Sequence, residues 1–209
     1  MKYKFTHKEQ LNTAIWSGGT TTQLAIYPED AQYDKHNFLW RISTATIETE
    51  ESTFTRLPGI NRIIMVLDGN MLLRHEGHDK LYMEPFRQKE FKGNWLTKSF
   101  GQATDFNVMM QESCKAYVEV ITIDPQVSLE TMVFSLSDKN NYNNIVEAFY
   151  FIIPANISLT CYNELINARY GDILMLQKER NENDLTAIKF FNPLATHSHI
   201  IRSCIYFND

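Results

Sequence analysis

A chain of 209 residues can form one large β domain or two small ones, and either is long enough to bury a sizeable core. Hydrophobic residues make up 44% and charged residues 22%, which excludes the disordered and collagen-like classes. The net charge of −5, with neither sign gathered into long blocks, leaves no footprint for nucleic acid or for an anionic membrane surface.

In chain order, residues 3–6 alternate weakly and read as an edge strand, followed by a polar segment ending in the apolar cluster of residues 13–16. Ser17-Gly18-Gly19-Thr20-Thr21-Thr22-Gln23 suits a turn or bulge feeding a strand over residues 23–27; without a lysine or a helix after it, it cannot serve as a phosphate loop. Residues 28–37 read as a surface loop, 38–48 as a strand and 53–57 as a shorter one. Pro58-Gly59 fits the central pair of a type II turn, since Pro presets φ and Gly accepts φ > 0. Asp68-Gly69, between the apolar runs 63–67 and 71–73, predicts a hairpin, and Glu76-Gly77 predicts a second reversal. Residues 104–110 alternate with Asp105, Asn107 and Met109 on one face and Phe106, Val108 and Met110 on the other, one face for core and one for a pocket. Further strands are predicted at 117–123, 147–153, 157–162, 172–177, 186–191 and 199–207, with turn residues at the spacing of sandwiches and barrels. Residues 129–136 and 142–148 are the two short candidates for a helix.

The expected fold is all-β: one continuous body, 1–209, made of an N-terminal barrel over about 1–115 and a C-terminal barrel over about 116–209. Cys114, Cys161 and Cys204 are odd in number and form no C-x-x-C pair, so reduced thiols in a cytoplasm are expected. The charged first twelve residues lack a signal peptide's apolar stretch, and no segment approaches the roughly 18 apolar residues of a membrane span. A homodimer is expected from the prevalence of symmetric oligomers.

Residues 37–62 organise the functional reading. In the strand over 38–48, Arg41, Ser43 and Ala45 share one side while Trp40, Ile42 and Thr44 share the other. Arg62 opens the most apolar strand, where its charge is costly unless a carboxylate, a carbonyl cluster or a ligand compensates it. Arg41, Ser43, Arg62 and Asn107 form the candidate site for a small anionic metabolite, because guanidinium forks pair with carboxylates while Asn and Ser fix a neighbouring polar group. Trp40 and Phe54 are candidate pocket walls, and Thr21 lies in the turn region beside its mouth. For Arg62 the competing reading is a structural ion pair with Asp105.

Four segments together resemble the HutD/Ves family: Trp16-Ser17-Gly18-Gly19-Thr20-Thr21-Thr22-Gln23-Leu24, Trp40-Arg41-Ile42-Ser43, Phe54-Thr55-Arg56-Leu57-Pro58-Gly59-Ile60-Asn61-Arg62 and Asp105-Phe106-Asn107-Val108-Met109. The resemblance covers about half the chain and implies a cupin-like fold, a jelly-roll barrel duplicated into a bicupin. It also implies a small-molecule-binding role in histidine utilisation, sensing or buffering an intermediate such as N-formylglutamate or urocanate, or a role in stress responses. A cupin-type isomerase or hydrolase acting on such a metabolite is the alternative. Many members carry Asn before three glycines and Glu four residues beyond; here Trp16 is followed by Ser17 and two glycines, and the acid position is Gln23.

Cupins that bind metal use two His, a Glu and a third His. His75 and His78 are three apart in a turn, where strand geometry needs two, and His197-Ser198-His199 has the H-x-H spacing without a following Glu. Neither metal nor another cofactor is therefore expected, and the histidines, including His7 and His36, are expected at the solvated surface. No serine or cysteine sits in a nucleophile motif, so no catalytic residue is assigned.

Overall fold

A computed structural model describes residues 2–134, 142–152, 156–179 and 187–208. Nineteen strands are formed among them and no α-helix. They divide into two compact units, Leu11–Cys114 (the N-terminal unit) and Met1–Gln10 with Lys115–Asp209 (the C-terminal unit).

The N-terminal unit holds a six-stranded and a four-stranded sheet. The first has the order β2-β3-β4-β11-β6-β9, built from β2 (Asn12–Trp16), β3 (Gly19–Tyr27), β4 (Trp40–Ile47), β6 (Ile60–Gly69), β9 (Gln88–Lys92) and β11 (Ala103–Gln111). The second has the order β5-β10-β7-β8, from β5 (Glu51–Thr53), β7 (Met71–His75), β8 (Lys80–Met83) and β10 (Thr97–Phe100). Ile47, Ile64 and Val66 from the larger sheet pack with Met71, Leu73 and Met83 from the smaller one, giving the two-sheet core of a jelly roll.

In the C-terminal unit the five-stranded order is β1-β17-β14-β19-β12, from β1 (Lys2–Thr6), β12 (Lys115–Ile123), β14 (Asn144–Phe151), β17 (Ile173–Glu179) and β19 (Ser198–Phe207). The four-stranded order is β13-β18-β15-β16, from β13 (Ser128–Met132), β15 (Asn156–Cys161), β16 (Glu164–Arg169) and β18 (Ala187–Phe191). β14 is buried at all eight positions, as a central strand covered on both faces must be.

Several expectations change. The edge strand at the start of the chain exists, but it pairs with β17, so the first ten residues join the C-terminal unit. Asp68-Gly69 does not close a hairpin: β6 pairs with β11 and β9, whereas β7 pairs with β10 and β8. Gly69, at φ +73°, turns the chain from one sheet into the other, and a Cβ there would lie 2.5 Å from the Gln102 carbonyl oxygen. The second reversal, at Glu76-Gly77, does join the paired strands β7 and β8. Pro58-Gly59 also turns as expected, with the Ile60 N–H donating to the Leu57 carbonyl and Gly59 at φ +77°. The strand expected at 53–57 is shorter and earlier, as β5, and the apolar cluster 13–16 is itself a strand, β2. The two helix candidates are β13 and part of β14, where sheet pairing overrides a weak local period. The ends of three predicted segments, Ser135 and Leu136, Ile153, and Thr186, lie outside the described residues.

No described helix is long and apolar enough to cross a membrane. Cys114, Cys161 and Cys204 are free and buried, and burial pushes the thiols up, Cys161 to about 11 and Cys204 to about 12.

Candidate functional site

The site is built by register. Met109 of β11 pairs with Arg41 on β4 to one side and with Arg62 on β6 to the other, so the two arginines stand level across three adjacent strands. Two positions along β11, Asn107 pairs with Ser43, and two further on Asp105 pairs with Ala45. Directly paired residues project to the same side of a sheet, and so do alternate residues along a strand. One face therefore carries Arg41, Ser43, Arg62, Asp105, Asn107 and Met109.

This face lines a cavity of about 350 Å³ within the N-terminal unit. Thr21 and Phe54 line it as well, so six of the seven sequence-predicted residues come together. Trp40 does not. It lies on the opposite face of β4, 2% exposed and stacked on Tyr27 at 5.7 Å between ring centroids, because strand alternation separates it from Arg41.

Arg62 is 5% exposed. Its Nη2 donates to Asn107 Oδ1 at 2.9 Å, and Asn107 Nδ2 donates in turn to Asp105 Oδ1 at 2.7 Å. The direct Arg62–Asp105 ion pair does not form: Asn107 stands between the two charges, and Arg62 Nε has no hydrogen-bond partner among the described residues. Phe54 and Phe91 supply aromatic faces 4.8 and 5.3 Å from the guanidinium carbon. Burial pulls the Arg62 pKa down to about 10, still well protonated at neutral pH, while burial drives Asp105 up to about 6 against its bond from Asn107 and the field of Arg62.

Arg41, 6% exposed, is held by neutral groups: Nε donates to Gln23 Oε1 and Nη1 to Ser43 Oγ, both at 3.0 Å. Tyr33 covers the guanidinium at 4.6 Å. Burial lowers its pKa, with Tyr33 and Asp34 pulling it back. No carboxylate stands within ion-pair distance of either arginine among the described residues, and Asp34 lines the cavity as an exposed residue. The interior thus holds two cations against one weakened carboxylate. Cation–π contacts return roughly 0.5–2 kcal/mol each, whereas burying an ion costs several. A carboxylate or similar anion entering the cavity would close that gap through bidentate, charge-assisted hydrogen bonds.

Sequence reasoning missed Tyr33, Asp34 and Trp16 as lining residues and Gln23 as the partner of Arg41. Only Gln23 carried a signal, as the position where the resembled family has an acid. The cavity lining contains no His, Cys or Glu, so it does not fit the ligand set of metal-binding cupins. His75 is not at the surface as expected: it is 2% exposed, with Nδ1 2.8 Å from Thr97 Oγ1 and its ring against Phe91 and Trp95. His7 is exposed as expected, with its Nδ1 3.2 Å from Asp172 Oδ2. His197 and His199 approach Asp124 and Thr122.

The whole chain is similar to solved structures of this architecture. A conserved protein of unknown function from Pseudomonas aeruginosa PAO1 aligns with TM-score 0.76 at 16% identity, covering 99% of this chain and 100% of that one. HutD from Pseudomonas fluorescens SBW25, in a structure titled for a formate condition, aligns with TM-score 0.64 at 19% identity, covering 97% and 98%. A formate complex of oxalate decarboxylase from Lactobacillus farciminis aligns with TM-score 0.64 at 7% identity, covering 97% and 86%, and the fold is accordingly a cupin-like bicupin. A search of curated protein sequences gave no match. The HutD family profile matches residues 8–187, and from that span, together with the architecture, the chain belongs to the HutD family.

Proposed function

We propose that this HutD-family cupin binds a small carboxylate metabolite in the cavity of its N-terminal unit and acts as a sensor or buffer of that metabolite. The observation that carries the reading is the pair of buried guanidiniums, neither ion-paired, one with an unsatisfied Nε, on the wall of a single cavity. The volume suits a metabolite of N-formylglutamate or urocanate size. Arg62 lines the cavity with its Nη2 bonded to Asn107, and Asn107 together with Ser43, bonded to Arg41 Nη1, lines it as well to fix a formyl, amide or ring nitrogen. Calorimetric titration with N-formylglutamate, glutamate and urocanate tests it: at least one should bind, and its neutral amide analogue should not. Silence from all three carboxylates removes the proposal.

One observation favours a second reading, as an isomerase or hydrolase. Asp105 is a buried carboxylate on the same wall with a pKa near 6, the range of a general acid or base. Incubation of the same three compounds with the protein, followed by NMR, separates the readings: product formation that Asp105→Asn abolishes would make this an enzyme.

A further inference from the structure

The chemistry of the cavity wall changes along its strands, and register sets the order. Arg41, Met109 and Arg62 stand level across β4, β11 and β6. The next level holds Gln23, Ser43 and Asn107, and the one after it Ala14, Thr21, Ala45 and Asp105, each step being about 7 Å. Trp16, Gly19 and Ile47 form the last. Both guanidiniums lean forward, to Ser43 and Asn107, while the Trp16 indole leans back, its Nε1 donating to Thr21 Oγ1 at 3.2 Å. One step, about 7 Å, therefore separates the cations from the indole. The three tryptophans also differ. Trp40 stacks on Tyr27 and Trp95 on His78, whereas Trp16 stacks on no ring among the described residues and remains 36% exposed on the cavity wall. Gly18 makes room for its indole, since a Cβ there would lie 2.1 Å from Trp16 Cζ3.

We propose that the Trp16 end of the cavity is a ring subsite, and that the ligand is a carboxylate joined by a short link, about two carbons, to an aromatic ring. The carboxylate meets Arg62 and Arg41, and the ring lies against Trp16. This rests on the carboxylate reading above and narrows it. Arg41 and Arg62 are the only cations among the described lining residues, and both serve the opposite end. A second carboxylate reaching the Trp16 end would instead meet Asp105, with Ala14, Ala45 and Ile47 around it and no cation to offset the repulsion. An aromatic ring suits these neighbours, because its edge is electropositive towards a carboxylate and its face packs on an indole.

Calorimetry of the full chain with 3-phenylpropionate, propionate and glutarate tests it. Phenylpropionate should bind at least about tenfold tighter than either of the others. Trp16→Ala should bring the phenylpropionate-to-propionate ratio close to one, and Trp16→Phe should restore most of it. Should Trp16→Ala fail to fold, Gly18→Ala decides: it keeps the indole but displaces it, so the ratio should fall there too. A wild-type ratio near one, or a ratio that survives these variants, overturns the ring subsite. So does glutarate binding tightest, which would mean a dicarboxylate lying across the two arginines. In each of those cases carboxylate binding that Arg62→Met weakens leaves the broader reading standing. Silence from all three probes removes both.

Discussion

Arg62 in the N-terminal unit and Arg202 in the C-terminal unit both sit inside a β-barrel, at 5% and 8% exposure, with opposite provision for their charge. Arg202 donates through Nε to Glu147 Oε2 at 2.8 Å, through Nη1 to Glu119 at 3.1 Å, and through Nη2 to the Met132 carbonyl at 3.0 Å. Glu147, wholly buried, also accepts from the Phe134 N–H, so each charge of the pair is matched on several sides. Burial alone would lower Arg202, yet Glu147 and Glu119 hold its pKa above the ordinary value. Arg62 has one hydrogen bond among the described residues, to a neutral amide, and burial wins. Arg202 thus finds protein acceptors at all three of its nitrogens, whereas Arg62 keeps an idle Nε among the described residues, and on the proposed reading Arg62 is the one that meets an anion.

The contrast can be broken experimentally, and stability gives the largest effect. Arg202→Met strands Glu147 as an unpaired buried carboxylate and should cost about 3–5 kcal/mol in chemical denaturation, whereas Arg62→Met should stay within about 1 kcal/mol of wild type. Equal losses at the two positions would mean that both arginines are scaffold. Binding should invert the order: Arg62→Met is expected to weaken carboxylate affinity by at least about thirtyfold in calorimetry, the equivalent of roughly 2 kcal/mol for a lost charge-assisted pair.

Gln23→Glu sharpens the comparison by giving Arg41 the carboxylate that Arg202 already has. Anion affinity should fall about tenfold while the melting temperature holds or rises. Unchanged affinity would remove Arg41 from the site.

The smallest effect is the pH dependence set by Asp105. Its folded pKa, raised by burial to about 6, lies above the ordinary carboxyl value of 3.8, so the folded protein keeps a proton there that the unfolded chain releases. This group's contribution to stability is therefore fully present below the unfolded value and is lost as pH rises through 6. Protonation also removes the only buried negative charge among the cavity-lining residues, so a ligand that stays ionised should bind a few-fold tighter at about pH 5.5 than at 7.5. Asp105→Asn should flatten that profile; a slope that survives it belongs to another group.

Much of this site was legible in the chain because strand alternation is a local rule. Period two put Arg41 with Ser43 and Asp105 with Asn107, and the structure keeps both groupings. The same rule already placed Trp40 on the far side, which is where it lies. Turn chemistry was legible where a glycine and its neighbours suffice, as at Pro58-Gly59. It misled at Gly69, because a turn residue specifies a reversal and not which sheet receives the next strand.

By itself, then, the sequence determined an all-β duplicated barrel, the strand faces and the types of side chain presented on them, since apolar periodicity and turn residues act over a few positions. Only the tertiary structure decided that Arg41 and Arg62 flank Met109 and that Asn107 keeps Arg62 apart from Asp105. It likewise decided that Tyr33 covers Arg41 and that the first strand belongs with the last ones. Those are pairings between residues tens of positions apart, fixed by sheet register and by burial of the whole core, and no local pattern encodes them.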